Sequence, residues 1–425
     1  MAILTREQAK KSFYPYQANN SSQGIGVSNG SGVGLLTDNY AGTPFVSART
    51  GFVFVVDRIF VYSIHPVANS TATDDSVVTV RITDGVTPSY LYLKTLRQDA
   101  GGEYHMTLVD WKTNGKLVLK EGFNLNAKIS NASSTALSFD GPASFMVYGE
   151  WISVEEARQR DLLGDVYFGS AHDFTTNTTL VPKKDGKQFV IEGFYVIGLS
   201  NSSPDAVQNL TVRFSSADNG GGTNYTALKY SSRRGDQQFR INHGTADCYI
   251  AGPTSYGVTA IQTTAKKYSV IVVGRYVLNG NTFDPTGVHT TPNSIASKGD
   301  RFWVYKSLTG STTADLTPTN KPGNVIIEGV LISGVRGAGA SASSLSVGYQ
   351  VTAGSPPVTT DYPVIPTVFA GADWDVQYLI DGLGIPVLNS VGINAIVGPL
   401  AAWTEANVTI WGRFVSDKRA QITVV

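Results

Sequence analysis

Three acidic residues, Asp57, Glu192 and Glu328, recur at one position of a repeated pattern. Each interrupts an otherwise apolar run, and each follows a run-opening apolar residue (Phe45, Leu180, Leu316) by twelve positions. A carboxylate placed this way suits one of two roles. It can transfer protons, which calls for a second tuned acid or base beside it, or it can pair with a cation at an interface. A catalytic pair would be peculiar to one domain, whereas a residue present in every copy belongs to the scaffold. Arg275 and Arg413 are the candidate cations, because each follows a glycine in a second repeated run. In the first copy Glu150 replaces the arginine, and Arg58 follows the acid instead. The competing account is an outward-facing acid on an amphipathic strand.

Other chemistry is sparse. The five histidines, His65, His105, His172, His243 and His289, show no His-x-His or His-Glu-x-x-His spacing, so a metal site is not expected. Cys248 is the single cysteine, which excludes a disulfide-stapled scaffold; it reads as a small buried residue on a strand. The glycine-rich run Gly24 to Gly32 lacks the lysine of a phosphate loop. Asp74-Asp75 and Asp373-Trp374-Asp375 match no calcium loop and read as solvated turns. No catalytic residue, cofactor or metal is assigned, and the chain is expected not to be an enzyme.

The elements that position the acids are strands. A closing run accompanies each acid: Phe145 to Ser153 around Gly149, Val270 to Leu278 around Gly274, and Val408 to Ser416 around Gly412. The separations from acid to glycine are alike, at 92, 82 and 84 residues, so the landmarks belong to one repeating unit. Between them lie alternating runs at Val78–Ile82, Leu210–Phe214 and Leu345–Tyr349. Period-two alternation puts one strand face in a core and the other outward. About eight short strands per ~100 residues, divided by turn clusters, is the pattern of a β-sandwich, with the jelly roll favoured by strand count. The expected fold is therefore all-β: three tandem jelly-roll-like sandwiches with one short connecting helix. Gly149, Gly274 and Gly412 interrupt bulky strands, so each marks a bulge or a close backbone approach.

The sandwiches are expected at 40–153, 172–278 and 310–416. Residues 1–39 read as a polar N-terminal arm with anchors Phe13, Tyr14, Tyr16, Leu35 and, at its border, Tyr40. Such a segment can order by laying these side chains into partner grooves. Residues 154–171 read as a helical linker: Ser153-Val-Glu-Glu156 is a capping box, predicting a helix that ends near Gly164 and packs at the seam between units one and two. Residues 279–309 read as a connector whose run Arg301–Lys306 is an added hairpin or a docking arm, and 417–425 as a tail. The connectors suit either a linear array or a pseudo-three-fold arrangement.

Composition narrows the class. Lys plus Arg and Asp plus Glu both number 33, so the chain lacks the basic excess of a nucleic-acid binder. Charged residues are only 16%, so Ser, Thr, Asn and Gly supply the polar surface. No apolar stretch is long enough to span a membrane as a helix, and the first residues do not form a secretory signal; a soluble chain made in the cytoplasm is expected. A weakly charged, disulfide-free, triplicated β-sandwich chain with a polar arm resembles tailed-phage virion structural proteins of the capsid decoration or cement type. This resemblance is one of architecture and composition over the whole chain. It implies a non-enzymatic virion protein that binds neighbouring major capsid protein or other virion subunits, with self-association allowed and no nucleic-acid or membrane partner. The alternative is a receptor- or glycan-binding sandwich of a tail fibre or cell surface, which would show an aromatic platform on one sheet or one end.

Overall fold

Burial alternates along the strands as the pattern requires. In β12 (Val207–Ser215), Gln208, Leu210, Val212 and Phe214 are buried, while Thr211 and Arg213 are half-exposed. The computed structural model describes strands and tight connections between residues 14 and 415. Residues 1–13, 28–45, 66–75, 96–104, 132–142, 199–206, 234–241, 279–300 and 416–425, with some shorter loop stretches, lie outside the described residues.

Unit one comprises β1 (Tyr14–Asn19), β2 (Gly26–Val27), β3 (Phe52–His65), β4 (Ser76–Thr83), β5 (Pro88–Thr95), β6 (His105–Leu119), β7 (Asn124–Asn131) and β8 (Ala143–Ser153). Its sheets run β1-β8-β3-β6 and β2-β7-β4-β5. Unit two repeats this with β9 (Val166–His172), β10 (Thr178–Val181), β11 (Lys187–Gly198), β12, β13 (Asn224–Arg233), β14 (Asn242–Thr245) continued by β15 (Ile250–Ala251), β16 (Gly257–Gln262) and β17 (Tyr268–Leu278). The sheets are β9-β17-β11-β14 and β10-β16-β12-β13. Unit three follows with β18 (Arg301–Ser307), β19 (Thr313–Asp315), β20 (Asn324–Arg336), β21 (Ser343–Ala353), β22 (Val358–Ile365), β23 (Val368–Phe369), β24 (Asp375–Ile380) continued by β25 (Ile385–Val387), β26 (Gly392–Gly398) and β27 (Trp403–Val415). Its sheets are β18-β27-β20-β24 and β19-β26-β21-β22. In chain order within a unit, the strands therefore pair 1-8-3-6 and 2-7-4-5 three times over, the jelly-roll arrangement.

This pairing corrects three expectations. Val166–Ala171, read as part of the helical linker, belong with His172 to the first strand of unit two, which pairs with β17. Arg301–Lys306, read as an added hairpin or arm, is the first strand of unit three and pairs with β27. Tyr14 and Tyr16, read as arm anchors for a partner, lie on β1, which pairs with β8 of the same unit; Phe13, Leu35 and Tyr40 lie outside the described residues. The common cause is that a jelly roll needs an eighth strand to border the closing one. Each unit draws it from the stretch ahead of its acid-bearing strand.

The helix α1 (Val154–Gln159) starts where expected, with the Ser153 hydroxyl accepting from the N–H of Glu156 at 3.1 Å. It ends earlier, at Gln159, and the Glu156 carboxylate turns to Arg160 rather than back to the cap. It also packs elsewhere. Ala157, with Val154, Leu162 and Leu163, covers Val53, Val55, Val118 and Ile152 of unit one's own sheet rather than the seam with unit two.

Candidate functional site

The repeated acids occupy one structural position. In each unit the acid-bearing strand runs antiparallel beside the closing strand, and the register slips by one residue at the acid: between Val56 and Arg58, Ile191 and Gly193, and Ile327 and Gly329. Asp57, Glu192 and Glu328 are thus the extra residues of three equivalent β-bulges. The closing-strand glycines sit opposite the residue before each bulge: Gly149 opposite Val56, Gly274 opposite Ile191, Gly412 opposite Ile327. Any Cβ there would collide with the backbone carbonyl of Val55, Val190 or Ile326. The glycines are sites of close backbone approach, and the bulge lies on the facing strand.

In units two and three the expected pairs form. Glu192 Oε2 meets Arg275 Nε at 3.0 Å, and Glu328 Oε1 meets Arg413 Nε at 3.2 Å. Each acid takes a second cation that the sequence pattern did not single out: Lys116 of unit one reaches Glu192 at 3.8 Å, and Arg301 of β18 pairs with Glu328. Unit one departs from this. Arg58 does not serve Asp57 but makes a two-pronged pair with Asp110 (2.6 and 2.5 Å), and among the described residues Asp57 has no ion-pair partner. Glu150, standing where the other units have arginine, pairs with Arg160 just beyond α1 at 2.6 Å.

The sixth strand of each unit breaks opposite its bulge. In unit one residues 113–116 loop out of β6; in unit two residues 246–249 separate β14 from β15; in unit three residues 381–384 separate β24 from β25. These excursions join successive units. Asn114 Nδ2 donates to Asp247 Oδ2 at 2.7 Å, and Thr245 Oγ1 donates to Asp381 Oδ2 at 2.8 Å. Apolar contact accompanies them. Trp111 of unit one packs on Tyr195 of unit two, with ring centroids 5.6 Å apart. Trp303, Leu331 and Trp411 of unit three belong to the core cluster of unit two. Their indole N–H groups donate to unit-two carbonyls, Trp303 to Ala251 at 2.9 Å and Trp411 to Asp247 at 3.0 Å. Lys229–Glu405 and the bond from Ser231 N to Ser333 Oγ add polar contacts. The broad interfaces among the described residues join unit one to two and two to three; none joins one to three. Among the described residues that is a linear succession, without the broad closing interface between units one and three that a pseudo-three-fold ring needs.

Cys248 lies between β14 and β15 rather than on a strand; it is free, and burial pushes its thiol pKa up, away from the reactive thiolate. Among the described residues no group of three or more His, Cys, Asp or Glu side chains is placed to hold a metal ion. The exposed aromatics among them, Phe52 and Tyr378, sit in different units and form no shared platform. Asp74, Asp75 and Asp373 lie outside the described residues.

No protein-family model and no curated protein matches the chain. Among solved structures it is similar to the N-terminal CBM22-1-CBM22-2 tandem domain of Paenibacillus barcinonensis Xyn10C, at 11% identity, over 55% of this chain and 80% of that one, with a TM-score of 0.18.

Proposed function

We propose that the chain is a non-enzymatic structural protein of a virion, a stiff strut of three jelly rolls that decorates or cements a capsid by binding neighbouring shell subunits. The observation that carries this reading is the joint between units two and three. Trp303, Leu331 and Trp411 leave their own unit's core and enter that of the neighbour. Binding modules that act separately are usually strung on linkers with small polar interfaces and move relative to one another. Here apolar side chains and directed indole bonds lock successive units, so one chain presents surfaces at fixed spacing. A protein that clamps a repeating lattice benefits from this, because a preset spacing removes most of the ordering cost of engaging several subunits at once. Glu192 and Glu328 serve the same scaffold: their pairs tie the bulge to the closing strand and, through Lys116 on Glu192, one unit to the next.

Electron microscopy of the assembled particle tests the reading. The expected result is three jelly-roll densities in fixed relation, touching shell subunits. Location at a fibre tip, or absence from particles altogether, overturns it, the former in favour of receptor binding.

A further inference from the structure

The two joints are made in the same way. In each unit the two sheets end on the same side, one on its fifth strand and the other on its sixth (β5 and β6, β13 and β14, β22 and β24), and the core is open along that edge. The next unit closes it. β5 and β6 of unit one lie against β9, β11 and β17 of unit two, and β13 of unit two lies across β18, β20, β24 and β27 of unit three. The closing surface is the outer face of the acid-bearing sheet, with Tyr195 in unit two and Leu331 and Trp411 in unit three.

Unit three has no successor, and its edge differs accordingly. By strand register Ile380 is the equivalent of Trp111 and Thr245, and Ile385 that of Leu117 and Ile250. Trp111 and Thr245 are 0% and 1% exposed, and Leu117 and Ile250 are 2% and 0% exposed. Ile380 and Ile385 are only partly buried, and so is Leu383 between them, whereas Cys248 in the corresponding excursion of unit two is buried. Tyr378, two residues from Ile380 on the same strand face, is 41% exposed. Among the described elements β22 is in broad contact with β21 alone.

Unit one carries the complementary surplus. Phe60 is the equivalent of Tyr195 and Leu331, and Tyr148 that of Val273 and Trp411. Those four equivalents are at most 1% exposed, while Phe60 and Tyr148 are only partly buried. The helix α1 covers Val53, Val55 and Ile152, the half of this face that precedes the bulge. It leaves the half after the bulge, which is the half that unit three uses at its joint. Arg58 and Asp110, beside Phe60, neutralise each other.

The chain thus presents at one end the edge that its joints close, and at the other the face that closes them. Burying the apolar side chains of both ends at once is favourable for the same reason that the joints form. We propose that unit one of a second copy docks on the open edge of unit three, so that copies join head to tail and repeat the internal joint between chains. The contact is heterologous: it uses two different surfaces and propagates as an open array or closes as a ring. It goes beyond the virion reading and does not depend on it.

Sedimentation velocity of the full chain over a concentration series tests it. A joint held within one chain acts at an effective concentration of about 1 mM, so the contact between chains is sought up to that value. The wild type should form dimers and larger species as the concentration rises. Phe60→Glu places a charge in the closing face and Leu383→Glu places one in the open edge, and each variant alone should stay monomeric. Mixed in equal amounts, the two should recover a dimer and nothing larger, because one compatible pair of ends remains. Should Leu383→Glu not fold, Tyr378→Glu, at an exposed position, replaces it. A wild type that stays monomeric throughout, an association that survives in either single variant, or a mixture that yields no dimer overturns the proposal.

Discussion

The indole nitrogen of Trp411, in the last strand of unit three, donates to the backbone carbonyl of Asp247 in unit two at 3.0 Å. Its ring lies edge-on to Phe194, with centroids 6.4 Å apart, inside the core of unit two. One side chain therefore belongs to two domains. Trp411→Ala should cost about 3–5 kcal/mol, the range for emptying a buried aromatic site. It should also split the unfolding of units two and three into separate transitions. Trp411→Phe, which keeps ring burial and loses the bond, should cost about 1 kcal/mol. Calorimetry of the three proteins checks both; one undivided transition in the alanine variant would show that the joint does not couple the units.

The glycines opposite the bulges are tested next. At Gly274 a side chain has nowhere to go, because the Val190 carbonyl fills the Cβ position and the Phe189 ring stands at 3.0 Å. Gly149 and Gly412 face the same obstruction from Val55 and Ile326. Valine at any of the three should destabilise its own unit by about 1–3 kcal/mol, read as a lower denaturant midpoint for that unit alone. Gly51, Gly186 and Gly382 form the contrast. Their surroundings are open, and only their positive φ values resist replacement.

How far the sequence reveals this architecture follows from the range of each interaction. The acid and glycine landmarks were legible because a repeated constraint leaves a repeated residue, even with no contact visible. Of the two roles expected for the glycines, a bulge or a close backbone approach, the structure shows the close approach; the bulge lies opposite, because a bulge is a slip between two strands and a single run cannot show which partner holds the extra residue. Arg301–Lys306 was recognisable as a strand, but nothing local says that an edge strand belongs to the unit that follows it. Lys116 and Trp303 were missed because their partners lie in another unit, 76 residues away for Lys116 and Glu192. Trp411 was half-legible, a tryptophan beside a repeat glycine being suited to core or inter-domain packing alike.

Cys248 should be inert in the folded chain. Its thiol is buried, Sγ approaches the Ile191 carbonyl at 3.5 Å, and burial raises its pKa. A thiol reagent at pH 8 should modify the native protein only as fast as unit two opens, and modify the denatured protein at once. Rapid labelling under native conditions would place the residue at an accessible edge instead.

The carboxylate of Glu192 links two units, since it takes Arg275 from its own closing strand and Lys116 from unit one. The acid is only 11% exposed, whereas Arg275 and Lys116 are 24% and 30% exposed, so water screens the cations more than the anion. Glu192→Gln keeps the bulge and its shape but leaves two cations facing each other without a counter-charge. The expected loss is about 1–3 kcal/mol at low salt, below the figure for a fully buried pair because both cations reach solvent. Added salt should shrink that loss, since screening weakens the repulsion that remains. Lys116→Met removes only the inter-unit arm, at 3.8 Å the longer of the two, and should cost under about 1 kcal/mol. Combining the changes separates the roles. If Lys116 couples the units through Glu192, the double variant should be less destabilised than the two single losses added together, because removing the lysine relieves the repulsion that the glutamine created. Strict additivity would mean that Lys116 and Glu192 act independently, and that units one and two are held by other contacts, among them Trp111–Tyr195 packing and the Asn114–Asp247 bond.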